Sequence, residues 1–266
     1  MASSFAGNLI LVDAWLSLPL PALILALIGC FATSALLLIG VSFGPVIGPR
    51  VQSFRGVVGP FFGAIVLIFG ILVGFLATDV WDRSRRAAAT VRAEGAHLVS
   101  LHDLVAANGL SGDEIDDAIR AYVIAVVNNE WRSMEDGNAS AEAESAQDQL
   151  LKTIAQSEWR SGEFSRLLLD TAMKVREARA ERLALSSDYS ESAKWMCVLL
   201  MALMAQISLA AVHLDAIRPQ IAALFIYTTS VLIVLNLIAI HEAPFQPPLA
   251  VSSAPIAALL DIIPAR

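Results

Sequence analysis

The sequence predicts an all-α integral membrane protein, with four transmembrane helices in two hairpins and a helical soluble domain inserted between the second and third spans. Three observations carry this reading. Of the 266 residues, 56% are apolar and 16% charged, against about 45–50% and about 25% in ordinary globular domains; one soluble core of this size could not hide the excess. Residues 14–49, 56–78, 195–214 and 219–241 contain no Asp, Glu, Lys or Arg, and a bilayer core about 30 Å thick needs roughly 20 apolar residues per helix. Residues 81–192 hold 20 of the 25 acids and 13 of the 18 bases, so the whole net charge of −7 resides there.

An N-terminal tail, residues 1–19, precedes the first transmembrane hairpin, residues 20–80. Its first span runs from about Leu20 to Gly40 and its second from about Gly59 to Thr78. The linker between them carries Gly44-Pro45 and Gly48-Pro49, which break a helix. Residues 193–242 form the second hairpin, with spans Trp195–Val212 and Ile221–Ile240 joined by a short turn near Asp215–Gln220. Backbone polar groups in lipid must be satisfied within the segment, so these are helices. The remaining stretch, 243–266, is nearly uncharged but interrupted by Pro244, Pro247, Pro248 and Pro255, which predicts a Pro-rich interfacial or re-entrant tail.

The acidic insertion, residues 81–192, also reads as helical. Val91, Gly95, Leu98, Leu101 and Val105 recur at three and four residues, one apolar helix face. Nothing but Gly95 interrupts the pattern from Thr78 to Ala107, so the second span is expected to continue into the insertion as one helix. Ser111-Gly-Asp-Glu114 has the spacing of a capping box, starting a helix with Ile115, Ile119, Tyr122, Val126 and Trp131 on one face. Ser140 is placed to cap a third helix carrying Leu150, Leu151 and Ile154. A fourth is expected from Glu163 through Arg182, feeding into the third span.

Basic residues near span ends set orientation. Arg83, Arg85, Arg86 and Arg92 follow the second span and Arg176, Arg179, Arg182 and Lys194 precede the third, against Arg50, Arg55 and Arg218 on the other side. This places the insertion and both termini in the cytoplasm.

Composition and motifs exclude several functions. A net charge of −7 argues against nucleic acid, whose recognition needs a basic footprint. No glycine loop ends in the Lys-Ser/Thr pair of a phosphate site. His97 and His102 are five apart and diverge on a helix, a poor metal pair. Cys30 and Cys197 are too few for a disulfide framework. No enzyme, cofactor or metal site is expected.

The second span is the most informative. Gly59, Gly63, Gly70 and Gly74 make two small-xxx-small pairs, the pattern that lets another helix backbone approach in lipid. Phe62, Phe69 and Leu76 recur every seven residues. Around an axis of identical helices they would form a hydrophobic constriction that gates by dewetting, with Asp79 as a ring of carboxylates below it. Ordinary helix packing explains the same stripe, and an i,i+4 pair of Asp79 with Arg83 explains the carboxylate. Gln206 and Asn236 read as interhelical hydrogen-bonding groups.

Trp81, Val91-Arg-Ala-Glu94, Leu98 and Leu101 resemble the helix after the second span in the bacterial bestrophin-like membrane family. Tyr122, Glu130-Trp131, Met134, Gly137 and Ser140 agree, as do Arg179, Arg182-Leu183 and the tail residues Val251-Ser252 and Pro255-Ile256. The resemblance implies kinship with bestrophins, which are pentameric anion channels with four spans and a cytosolic helical domain. It departs at the acidic calcium clasp of bestrophins: Asp113, Glu114, Asp116 and Asp117 sit at a helix start, where the helix dipole accounts for them.

Two functions are therefore expected. One is a homo-oligomeric inner-membrane ion channel-like protein, pentameric by analogy, with the second span lining the pore. The other is a membrane-anchored sensor or scaffold whose acidic domain binds a cytoplasmic protein partner. Asp79 favours cations, whereas Arg83, Arg85 and Arg86 favour anions.

Overall fold

The structure, a computed structural model, describes residues 12, 14–107, 113–156, 162–187 and 191–263. Among these residues every regular element is helical. The long helices are α1 (Leu20–Phe43), α2 (Gly59–Ala107), α3 (Asp113–Ala125), α4 (Ala141–Gln156), α5 (Gly162–Ser187), α6 (Ser192–Val212) and α7 (Ile217–Ile240). Two short helices close the chain, α8 (Ala254–Ala257) and α9 (Leu259–Ile262). Four stretches, in α1, α2, α6 and α7, are long and apolar enough to cross a bilayer, and they make this a membrane-embedded protein.

The chain divides into two compact units. The first comprises α1, the part of α2 up to Trp81, α6 and α7. Helix α1 starts with proline in its first turn, where the missing N–H costs nothing. It ends at Gly44, whose extended backbone still donates to the Gly40 carbonyl. Leu27 and Phe31 of α1, Leu76 and Val80 of α2, Trp195 and Ala202 of α6, and Leu235 and Ile238 of α7 share one core. Amides tie these helices together. Gln206 Nε2 donates to the Phe31 carbonyl at 3.2 Å and to Thr228 Oγ1 at 2.9 Å. Gln220 Nε2 donates to Ser42 Oγ at 3.1 Å and to the Ala210 carbonyl at 2.9 Å. Gln206 thus bridges helices as expected, while Asn236 turns back to the Leu232 carbonyl of its own helix.

The second unit comprises α2 from Asp82, α3, α4, α5 and the C-terminal segment. Its core joins Val91, Leu98, Leu101 and Val105 of α2 to Ile115, Ile119 and Tyr122 of α3. Leu150 and Ile154 of α4 and Leu168 and Val175 of α5 complete it. These are largely the faces the three- and four-residue spacing marks out. The Ser140 hydroxyl accepts from the Ala143 amide at 3.3 Å, the expected cap of α4. Ser111 lies outside the described residues, and so does the junction of α5 with α6.

The C-terminal segment is seated on the second unit along one side. Phe245, Ile256, Leu259 and Ile263 are buried in the core of the second unit, and Arg120 Nη1 donates to the Ile263 carbonyl at 2.7 Å. Leu249 and Ile262 of the same segment stay about half exposed. Gly95 shows how closely the segment seats: a Cβ there would lie 2.5 Å from the Pro255 carbonyl oxygen. Glycine inside α2 is the residue that lets the two backbones meet.

Candidate functional site

Four ionised side chains meet inside the second unit. Glu94 sits on the apolar face of α2, in phase with Val91 and Leu98, and is fully buried. Arg182 of α5 is fully buried against it: Nε donates to Glu94 Oε2 at 2.6 Å and Nη2 to Glu94 Oε1 at 3.1 Å. The same Nη2 donates to Glu130 Oε2 at 2.8 Å. Arg179, one turn earlier, holds Glu130 through Nε at 3.1 Å to each oxygen and through Nη2 at 2.5 Å. Its Nη1 donates to Gln147 Oε1 of α4 at 3.0 Å.

The backbone explains how Glu130 arrives there. Residues Val126–Glu130 form a π-helical turn directly after α3. The wider turn inserts one residue into the helical phase, so Glu130 points inward and Trp131 packs beside it. The Trp131 ring lies over the Arg182 guanidinium, 5.3 Å from ring centroid to Cζ. Met134 Sδ accepts from Arg182 Nη1 at 2.7 Å. Gly137 closes the following turn with φ +71°, a left-handed conformation natural to glycine. The Ser140 amide then donates to Glu130 Oε1 at 3.4 Å.

Two carboxylates and two guanidiniums leave the network neutral. Burial opposes every charge in it, and the contacts answer that cost. Burial pushes the Glu130 carboxyl up, but hydrogen bonds from Arg179 and the charge of Arg182 outweigh it and hold the group below its ordinary range. Burial likewise works against the charge of Arg182, and Glu94 more than compensates, raising its pKa. Tyr122 donates to Glu94 Oε1 at 2.6 Å. Burial, then the Glu94 charge, raises its phenol well above the usual value, so Tyr122 stays a neutral donor. Chemically this is a lock, because every charged atom is directed at a partner.

The residues singled out on the second span fall elsewhere. Phe62 meets Tyr227 of α7 edge-on, ring centroids 6.2 Å apart. Phe69 and Leu76 are buried against the other apolar helices. Within the single chain the stripe is spent on packing, the ordinary helix-packing reading of its spacing. Asp79 forms an ion pair with Lys194 of α6 at 3.0 Å, so its charge is compensated. Gly59, Gly63, Gly70 and Gly74 lie on an exposed side about a third of a turn from that stripe, where an added Cβ would meet no described atom within 4 Å. Leu67, Ile71 and Phe75 lie next to the glycines and opposite the Phe62 stripe, 66%, 52% and 70% exposed.

Among the described residues no group of three or more His, Cys, Asp or Glu side chains is placed to hold a metal ion. At the start of α3, Asp116 accepts His102 Nδ1 at 2.7 Å.

A family model, the Bestrophin-like domain, matches residues 29–256. No curated protein and no solved structure matches the chain. The matched range contains the whole buried network, the apolar helices α2, α6 and α7 entire, and α1 from residue 29 onward.

Proposed function

The chain belongs to the bestrophin-like family, and from that premise we propose that it is a homo-oligomeric, channel-like protein with α2 lining the passage. In this reading the apolar helices cross the bacterial inner membrane as two hairpins, and the charged unit and both termini face the cytoplasm. The observation that carries it is the outward face of α2. Gly63, Gly70 and Gly74 are open there, and only 22% of the apolar stretch of this helix is buried within the chain. Lipid needs no glycine, whereas close approach of another helix does.

The hydrophobic constriction then moves half a turn from the Phe62 stripe, to Leu67, Ile71 and Phe75 at four-residue steps. Such side chains around an axis gate by excluding water. The buried ionic lock sits on the continuation of the same helix and fixes its neighbours α3 and α5 against it, which suits a rigid frame for a pore helix.

The test is electrical. Purified protein in planar bilayers is expected to conduct. In a Cys30→Ser, Cys197→Ser background, Phe75→Cys should let a charged, membrane-impermeant thiol reagent block that current. Absence of conductance, or a current indifferent to modification along 67, 71 and 75, would sink the assignment.

A further inference from the structure

A groove of about 600 Å³ runs between α3 and α4, lined by Ala118 and Ala121 of α3 and by Ala141, Glu142 and Ala146 of α4. Its alanine walls let a helix backbone come close. Glu142 stands on the rim, and the Ser140 hydroxyl, 2.6 Å away, keeps its carboxyl below the ordinary range, so it is charged at neutral pH. Asp117, also exposed, lies one turn before Ala121 on α3.

The complement to this groove is on the same unit. Along α2 the residues Arg85, Ala89, Arg92 and Ala96 recur at steps of four, three and four, and all are exposed. Helical spacing puts them half a turn from the buried Ala87, Val91, Glu94 and Leu98. That buried side is the one α3 packs on, through Tyr122 and Glu94, so the exposed row points away from α3. One face is alanine with carboxylates; the other is alanine with guanidiniums, of which Arg85 is already paired with Asp82 one turn earlier, so that Arg92 carries the complementarity.

We propose that the α3–α4 groove receives the Arg85–Ala96 face of α2 from a second copy of this chain, with Arg92 meeting Glu142 and Asp117. This rests on the homo-oligomeric reading above and supplies its contact outside the membrane. Charge complementarity selects the occupant, because the chain itself carries both halves. Two different patches in contact make a heterologous interface, which generates a ring or a chain of subunits and not an isolated two-fold dimer.

The test uses the full chain in its membrane, in the Cys30→Ser, Cys197→Ser background. A variant with both Ala96→Cys and Ala121→Cys, treated with a short bifunctional thiol reagent, is expected to give a ladder of bands extending past the dimer. Either single cysteine should not. Arg92→Glu and Glu142→Arg should each shift native mass spectra of the solubilised protein toward monomer, and the two together should restore the oligomer. Both substituted side chains are exposed, so circular dichroism should be unchanged. An oligomer that survives both reversals and yields no ladder overturns this contact and leaves the oligomeric reading standing. A protein that is monomeric before any substitution overturns both, and cross-linking that stops at the dimer overturns the heterologous geometry.

Discussion

The two units hold most of their inner polar groups in different ways; the exception in the first is Glu242, a buried carboxylate just after α7 that accepts from Trp195 Nε1 at 3.1 Å. Within its apolar helices the first unit buries neutral groups: Gln206, Gln220, Ser42 and Thr228, bonded across α1, α6 and α7. The second encloses a network of full charges, Glu94, Glu130, Arg179 and Arg182, and buries Arg83 as well. An amide bridge between apolar helices averages about 0.6 kcal/mol, because the separated helices also find partners in lipid. A buried ion pair is different: taking one partner away leaves an uncompensated charge and costs roughly 3–5 kcal/mol. The first unit should therefore tolerate loss of a polar group, and the second should not.

Arg182→Met breaks that comparison most severely. It strips Glu94 of both guanidinium bonds and leaves two buried carboxylates facing Arg179 alone, for a loss of about 3–5 kcal/mol. Hydrogen exchange should show collapse of protection along α3 and α5 with protection in α6 and α7 retained. Uniform protection in the variant would refute the lock.

Acidity probes the same difference without mutation. Glu130 has a folded pKa below its unfolded one. Its contribution is therefore present above the ordinary carboxylate pKa and is lost as pH falls through the lower folded value. Tyr122 is raised, so its contribution is intact below the ordinary phenol pKa and fades as pH rises past it. The second unit is expected to be flat from about pH 5 to 9 and to weaken on either side. Protection in α6 and α7, taken relative to the intrinsic exchange rate at each pH, should not share those two limbs; a common profile of protection would contradict the separation.

Gly95→Ala comes next. The added Cβ would sit 2.5 Å from the Pro255 carbonyl oxygen, and the backbone there must shift, at about 1–3 kcal/mol for overpacking. Limited proteolysis should then cut after Phe245 faster than in the parent. Gln206→Leu in the first unit is expected to cost about 0.6–1.7 kcal/mol, read from thermal unfolding in detergent; a loss as large as that of Arg182→Met would erase the contrast between the units.

How far each unit was legible follows from the same physics. The second unit has water-seeking and water-avoiding faces, so periodicity marks its core on α2, α3 and α4. The lock itself escaped, although a signal existed: Glu94 is in phase with Val91 and Leu98, and Arg182 is in phase with Val175 and Ala178, charges on faces otherwise apolar. What hid Glu130 is the π turn, which shifts the helical phase just before it. In the first unit the span limits were plain from charge-free length, but which side of α2 turns inward was not. A helix apolar all round gives periodicity no sign, so the Phe62, Phe69 and Leu76 stripe and the glycine stripe were equally eligible to face the chain's interior. The seat of the C-terminal segment on the second unit was not legible for a related reason, since an uncharged, proline-broken stretch suits a protein core as well as a lipid surface.

Gly70 and Gly95 stand on one helix, and comparing them isolates what each unit asks of it. Alanine at 95 meets backbone; alanine at 70 meets no described atom within 4 Å. Replacing glycine in a helix interior with alanine is favourable by up to about 1 kcal/mol when nothing obstructs it. Gly70→Ala should therefore leave the single chain as stable or slightly more so, the smallest effect expected here and the only one of favourable sign. If the glycine face exists to admit a neighbouring helix, the same methyl must be accommodated between subunits, and the oligomer should loosen while the chain does not. Native mass spectrometry beside thermal unfolding separates the two quantities. A chain destabilised in step with its assembly would mean that Gly70 is packed from within, and the outward face of α2 would lose its claim to the axis.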